Sequence, residues 1–189
     1  MQVPSGILLL VLLTLCGCAT QESDYQRVQT KRLADPGAAR ALSQSALAAL
    51  DAGELQEAED LLERSLAADV GFGPAHNNLG KVYFQQGELY RAAWEFEYAI
   101  KLMPHHPEPR NNLALVLETV RRFDEAVSHY EAALNLEPDN AELIGNLARA
   151  RLRRGDTPEQ VKPLLMDLLL KDSRLEWVEW AERELAKTP

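Results

Sequence analysis

Three asparagines of the chain, Asn78, Asn112 and Asn146, follow one another at intervals of 34 residues. We call them the asparagine ladder. A carboxamide carries two N–H donors and one acceptor oxygen, so a ladder of such groups can hydrogen-bond the backbone of an extended peptide. The chemistry that this spacing predicts is recognition of a polypeptide, without the making or breaking of a covalent bond.

Other residue types that support catalysis or metal binding occur without the partners that they need. His105 and His106 are adjacent, but no third metal ligand lies near them in the sequence. No serine or cysteine occupies a nucleophile elbow, and no glycine-rich phosphate loop follows a strand. We therefore expect no catalytic residue, no metal, no cofactor, no enzymatic activity and no small-molecule substrate.

The composition restricts the class of partner further. The chain has 189 residues and a net charge of −9, and no basic face with interleaved aromatic residues, so nucleic acid is not an expected partner. Its two cysteines, Cys16 and Cys18, both lie near the N-terminus. The folded part therefore has no disulfide bond.

A longer pattern shares the period of the ladder. Between Pro74 and Pro104 the chain has Leu-Gly-x2-Tyr, then Ala-x3-Phe, then a closing proline. The residues of this pattern are Leu79, Gly80, Tyr83, Gly87, Ala92, Phe96, Ala99 and Pro104. Residues of matching size return 34 positions later, as Leu113, Ala114, Leu117, Ala126, Tyr130, Ala133 and Pro138. The pattern resembles that of the tetratricopeptide repeat family, in which two antiparallel helices form each 34-residue unit.

This resemblance implies an all-α fold, a right-handed solenoid of three to four helix-turn-helix repeats with a C-terminal capping helix. We expect the repeat domain at 38–172, with repeats at about 39–72, 73–106, 107–140 and 141–172, and the capping helix at 173–189. Arg121 stands where Gly53 and Gly87 form the turn between helices, so its turn is expected to be strained or differently shaped. In the last repeat the second helix is expected either to begin near Pro163 or to be kinked there.

In the family that the chain resembles, the first helix of each repeat lines a concave groove. The resemblance places eight residues in a peptide-binding groove: Asn77, Asn78, Lys81, Asn111, Asn112, Asn146, Arg149 and Arg153. A second interpretation stays open, since asparagine at the ladder position belongs to the general consensus and often only stabilises the helix pair. The two-carboxylate clamp of chaperone-binding members is not expected, because Ser43 and Leu47 occupy its positions in the first repeat.

The first residues are typical of an export signal. A short apolar run ends in Leu15-Cys16-Gly17-Cys18, which resembles the lipobox of bacterial lipoproteins. The resemblance implies a lipoprotein signal peptide at 1–17, a lipid on Cys18 as the one covalent group, and a flexible lipid-anchored tether at 18–37. Ala19 then implies the outer membrane. An ordinary cleaved signal, or a wrongly assigned start, are the alternatives.

Together these features predict a membrane-anchored interaction scaffold of the bacterial envelope, facing the periplasm. Its partner would be a protein or peptide, held as an extended segment in the groove during envelope assembly or secretion. One alternative is a pilotin-like assembly factor for type IV pilus or secretin biogenesis. Another is a structural organiser that acts through its convex face or by self-association.

Overall fold

The computed structural model describes residues 34–187, and within them the chain forms nine α-helices and no strand. In chain order they are α1 (Pro36–Asp51), α2 (Leu55–Ala68), α3 (Gly73–Gln86), α4 (Leu89–Leu102), α5 (Pro107–Thr119), α6 (Phe123–Leu134), α7 (Ala141–Arg154), α8 (Pro158–Lys171) and α9 (Leu175–Leu185). Each helix packs on the next. The result is a solenoid of four helix pairs followed by a single helix, as the sequence predicts.

The first helix begins earlier than expected. The tether was predicted to extend to residue 37, but α1 begins at Pro36. Asp35 caps it, because its carboxylate accepts a hydrogen bond from the N–H of Ala38 at 2.9 Å. Proline is favoured in a first turn, where its missing N–H would have no partner in any case. The boundary at residue 37 is therefore wrong; the signal peptide, Cys18 and the rest of the tether to residue 33 lie outside the described residues.

In each helix pair, the turn between the two helices contains one residue in the left-handed conformation. Three of these residues are glycines, and in the third pair Arg121 takes the same place with φ 63°. In all four turns the N–H of the following residue bonds to the carbonyl five residues earlier, at 2.8–3.0 Å. The expectation of a differently shaped turn at Arg121 is wrong. Strain remains, since the left-handed conformation costs a non-glycine residue roughly 1–2 kcal/mol.

Small residues set how closely the helices of a pair approach. A Cβ atom on Gly80 would lie 2.6 Å from the ring of Phe96, well inside contact distance. Phe96 and Tyr130 are buried to 1% and 0% exposure, in an apolar cluster that extends from α1 to α7. A second cluster joins α7, α8 and α9. Leu134 and Leu164 pack against both clusters, so the core continues along the array of residues 34–187.

Helix α8 contains a proline in its interior. Thr157 and Gln160 form a capping box at its start, with the Thr157 N–H donating to the Gln160 side chain at 2.7 Å. The helix continues from Pro158 to Lys171, so of the two alternatives the start near Pro163 is wrong and the kink there stays a prediction. Pro163 lies in the second turn, where its ring removes one intrahelical hydrogen bond.

The last helix continues the period of the repeats. Leu175 follows Ala141, the first residue of α7, by 34 residues, so α9 corresponds to the first helix of a fifth pair. Its Ala181 is fully buried, whereas Glu182 is exposed. Glu182 stands where the preceding first helices have a small residue, namely Gly80, Ala114 and Ala148. A carboxylate there presents a polar surface at the end of the array, which a terminal capping element needs.

Candidate functional site

The first helices of the pairs, α1, α3, α5 and α7, form one surface, which we call the first-helix face. Hydrogen bonds of one kind join neighbouring helices on this face. Each ladder asparagine donates its side-chain amide to the residue 35 positions earlier, on the preceding first helix. The bonds are Asn78 Nδ2 to Ser43 Oγ (3.3 Å), Asn112 Nδ2 to Asn77 Oδ1 (3.0 Å) and Asn146 Nδ2 to Asn111 Oδ1 (3.0 Å).

These carboxamides are largely buried. Four of the five asparagines are only 3–6% exposed, and Asn112 is half-buried. The oxygen of Asn146 also accepts a hydrogen bond from Arg149, at 2.9 Å. Leaving a buried polar group without its partner costs about 1–3 kcal/mol, so these bonds hold the repeats in register. One amide hydrogen of each ladder residue is thus used within the protein, and binding of a peptide by the ladder stays a prediction.

The three cations predicted for the groove all have carboxylate partners. Lys81 pairs with Glu108 on the next first helix. Arg153 Nη1 lies 2.7 Å from Glu118 Oε1, and Arg149 Nε lies 3.6 Å from the same atom. Two carboxylates that the sequence analysis did not assign to the site, Glu108 and Glu118, are therefore the partners of these three cations.

Glu118, on α5, is a residue of the first-helix face that the sequence analysis did not assign to the groove. Its side chain is 4% exposed, and its second oxygen accepts a hydrogen bond from the Tyr130 hydroxyl at 3.1 Å. Burial, together with this neighbouring carboxylate, raises the pKa of Tyr130 above its usual range. A buried charge is tolerated when it is paired and hydrogen-bonded. A signal was present, because Arg153 follows Glu118 by 35 residues, the same separation as in the asparagine pairs.

The series of paired asparagines ends at α7. Gly145 stands where Asn77 and Asn111 stand on the two preceding first helices. The ring of Trp177, from α9, fills the space, since a Cβ atom on Gly145 would lie 2.7 Å from its Cζ3. Trp177 in turn packs edge-to-face against Trp180, with ring centroids 5.4 Å apart. Helix α9 therefore closes the first-helix face with two indole rings.

Two clefts open along this face. The first, of about 80 Å³, is lined by Lys81, Phe84, Gln85, Phe96, Asn112 and Leu115. The second, of about 290 Å³, is lined by Arg149, Glu176, Trp177 and Trp180. Both combine apolar walls with a few polar groups, which is the usual composition of a site that accepts an organic ligand or a side chain.

A buried histidine lies between α3 and α4. His76 Nδ1 is 2.6 Å from Glu95 Oε2, and its Nε2 is 2.9 Å from the carbonyl oxygen of Val70. Both partners are acceptors, so the doubly protonated ring satisfies both. Burial alone lowers the pKa of His76, but the hydrogen bonds to Glu95 and Val70 outweigh it and raise the pKa above 6.5.

The next repeat has the opposite arrangement at the same two positions. Arg110 and His129 stand 34 residues after the members of the His76 pair. Burial, and then the charge of Arg110, lower the pKa of His129 below 6.5, although the carboxylates of Glu97 and Glu125 act in the other direction. The neutral imidazole is therefore favoured at His129.

His105 and His106 lie exposed in the turn before α5. Within residues 34–187 no group of three or more His, Cys, Asp or Glu side chains is placed to hold a metal ion. The absence of a metal, a cofactor and an enzymatic activity stays a prediction.

Comparison with known families bears on the repeats directly. Residues 43–107 and residues 120–171 each match a family model described as tetratricopeptide repeat. An uncharacterized protein of Haemophilus influenzae is 30% identical over 118 residues, which is 62% of either chain. The uncharacterized protein ycf37 of Pyropia yezoensis is 34% identical over 65 residues, 34% of this chain and 36% of that one. The chain thus spans less than two thirds of the length of these curated relatives.

Solved structures of low sequence identity share the fold. The first TPR of Spaghetti (RPAP3), bound to an HSP90 peptide, superimposes with a TM-score of 0.62 at 21% identity, over 65% of this chain and 98% of that one. The APC/C hetero-tetramer Cut9–Hcn1 gives 0.72 at 19% identity, over 79% and 30%. A mutant O-GlcNAc transferase of Thermobaculum terrenum gives 0.68 at 23% identity, over 71% and 26%. These likenesses confirm the predicted repeat fold.

The space taken by Trp177 can be tested by substituting Gly145. Gly145→Asn restores the residue found on α3 and α5, but its side chain collides with the indole ring. We expect the free energy of unfolding in urea to fall by about 1–3 kcal/mol, the usual cost of overpacking, with red-shifted tryptophan emission. In a Trp177→Ala background the same substitution should cost much less. An equal cost in both backgrounds would show that Trp177 does not fill this space.

His76, which is buried, and His129, which is half-buried, should give stability opposite dependences on pH. The raised pKa of His76 stabilises the fold fully below pH 6.5, and this contribution is lost as the pH rises through the folded-state pKa. The lowered pKa of His129 stabilises the fold above pH 6.5, and this contribution is lost as the pH falls through its folded-state pKa. Thermal unfolding between pH 5 and 9 should therefore show the deficit of His76→Gln shrinking with rising pH and that of His129→Gln growing. Parallel deficits would contradict this assignment.

Proposed function

Because the chain belongs to the tetratricopeptide repeat family over residues 43–107 and 120–171, we propose that it is a membrane-anchored scaffold that holds an extended peptide segment in its concave groove. In this family the first helices line that groove, and its members act as protein-protein interaction scaffolds. The observation that carries the proposal is the cleft between α3 and α5 on the first-helix face.

The chemistry of this cleft suits a peptide. Phe84 and Leu115 are half-buried and offer apolar contact to a side chain, while Asn112, also half-buried, adds a carboxamide to the lining. Lys81 is paired with Glu108, whose side chain is 56% exposed. Ion pairs at such exposure contribute at most about 1 kcal/mol, so a ligand carboxylate can replace Glu108 at little cost.

One neighbour in fold is recorded with an HSP90 peptide bound, which supports a peptide as the class of ligand. We do not expect the same peptide here. Ser43 accepts a hydrogen bond from Asn78, and Leu47 presents an apolar side chain that is 40% exposed. Neither residue supplies the cation or the amide that a carboxylate clamp requires.

The place of action that we propose is the bacterial envelope, with a lipid on Cys18 and the repeats facing the periplasm from the outer membrane. None of the helices within residues 34–187 is both long and apolar enough to cross a bilayer. Two or three acyl chains hold a protein durably, since each buried CH2 contributes about 0.8 kcal/mol. Assistance to envelope assembly or secretion is the role that we favour, and a pilotin-like factor is the alternative.

Crosslinking from the groove would test the ligand. The asparagines are unsuitable for substitution, because they join the repeats. We would instead place a photo-crosslinking amino acid at Gln85, which is exposed and lines the cleft, and at Gln56 on α2 as an equally exposed control. We expect a specific protein adduct in cells from position 85 only, and weaker when Leu115→Gln is added. The same adduct from both positions, or from position 56 alone, would exclude the groove.

Attachment to the membrane has its own matched pair of variants. We expect Cys18→Ser to move the protein from the membrane fraction to the soluble fraction and to abolish incorporation of radiolabelled palmitate. Cys16→Ser should change neither, because the adjacent Leu15 makes Cys16 unsuitable as the modified residue. Retention of the Cys18→Ser protein in membranes would refute the anchor while leaving the groove untouched.

A further inference from the structure

Helix α4 carries four large apolar side chains along one exposed face. Tyr90, Trp94, Tyr98 and Leu102 recur at intervals of four residues and are 84%, 63%, 37% and 37% exposed. We call these four residues the aromatic stripe. The corresponding residues of the first repeat are Gln56, Asp60, Arg64 and Ala68, and those of the third are Asp124, Ser128, Ala132 and Leu136. The stripe is therefore not part of the repeat pattern.

Packing accounts for only part of the stripe. The Tyr98 ring lies against the buried His76, with ring centroids 4.6 Å apart. Tyr90 and Trp94 remain largely exposed. Tyrosine and tryptophan are the side chains most enriched where proteins bind one another, because they bury a large apolar area at little entropic cost. An exposed pair of this kind on one helix is thus a candidate docking surface.

The helices on either side of the stripe are acidic. Helix α2 has four carboxylates and one arginine, and α6 has three carboxylates and neither lysine nor arginine, so each has a net charge of −3. The ion pair between Arg91 and Glu59 (3.3 Å) joins α4 to α2, and α6 is the next second helix along the array. On α4 itself two cations balance two carboxylates. The stripe therefore lies between two surfaces of negative charge.

We propose that the aromatic stripe binds a basic amphipathic helix of a partner protein. Lysine or arginine side chains would lie over the rings of Tyr90 and Trp94, where cation–π attraction favours them, and within reach of the carboxylates of α2 and α6. A second copy of the chain, with its own net charge of −9, is repelled by these carboxylates, and an anionic bilayer is repelled in the same way. The surface belongs to second helices and is separate from the groove.

The probe is a 14-residue amphipathic helix with leucines on one face and lysines on the other. Its matched control is the same peptide with every lysine replaced by glutamate. Binding to the full chain is measured by titration calorimetry at low and at physiological salt. We expect the lysine peptide to bind, more weakly as salt increases, and the glutamate peptide not to bind.

Two double variants, each at a pair of similarly exposed residues, show where the peptide binds. Tyr90→Gln with Trp94→Gln should weaken binding of the lysine peptide about tenfold or more, as loss of central aromatic anchors does. Met166→Gln with Leu170→Gln on α8, at residues 54% and 86% exposed, should leave binding unchanged. Unchanged thermal unfolding of both variants confirms that the fold is intact.

Three results would overturn the proposal. The first is equal binding of the lysine peptide to the wild type and to the Tyr90/Trp94 double variant. The second is binding of phosphatidylcholine vesicles that depends on Tyr90 and Trp94, which would make the stripe a membrane-contact surface. The third is concentration-dependent self-association in sedimentation that the same double variant abolishes.

Discussion

The array depends on buried hydrogen bonds between residues 35 positions apart. Each one joins a ladder carboxamide to the preceding first helix, and no single helix pair can make it alone. Because an unpaired buried amide is costly, a sliding of one repeat against the next is opposed at every joint. The same separation brings Arg153 to Glu118. Register between repeats is thus the condition for both the polar joint and the ion pairs of the groove.

The pairing of charges on the first-helix face affects which ligands the groove can select. The three cations of the groove share two carboxylate partners, Glu108 and Glu118, so none of them stands as an isolated charge. Selection there would rest on apolar contact and on the shape of the clefts. The second helices α2 and α6 keep their negative charge. The protein therefore separates a groove whose cations are paired from the negative charge of α2 and α6.

Much of the fold could be predicted from the sequence because the same pattern of residues recurs in several repeats. The period of 34 places the helices, the turn glycines and the final helix from residue types alone. The start of α1 was missed because proline disrupts the interior of a helix but is favoured in its first turn, and the sequence alone does not show which case applies to Pro36. Arg121 was uncertain because sequence alone does not show whether a turn changes shape or a residue accepts strain.

The site was less predictable, because several of its contacts involve residues that differ from the repeat pattern. Glu118 stands at a position that is apolar in neighbouring repeats, as Phe84 and Leu152 show. Its two arginine partners looked like free ligand-binding groups until the buried carboxylate between them was known. The glycine at position 145 is explained only by the ring of Trp177, which packs against it from α9. The aromatic stripe is similar, since periodicity alone cannot separate an exposed ring from a core one.

The contact between Gly145 and Trp177 also limits how such an array can lengthen. A further repeat joined after α9 would meet Glu182 where a close helix approach needs a small residue, and a ladder position occupied by Trp180. Duplication of a unit ahead of α7 meets neither obstacle, because α3 and α5 have interchangeable joints. In evolution or by design, the array can therefore gain repeats more easily before α7 than after α9, and the last helices keep their place.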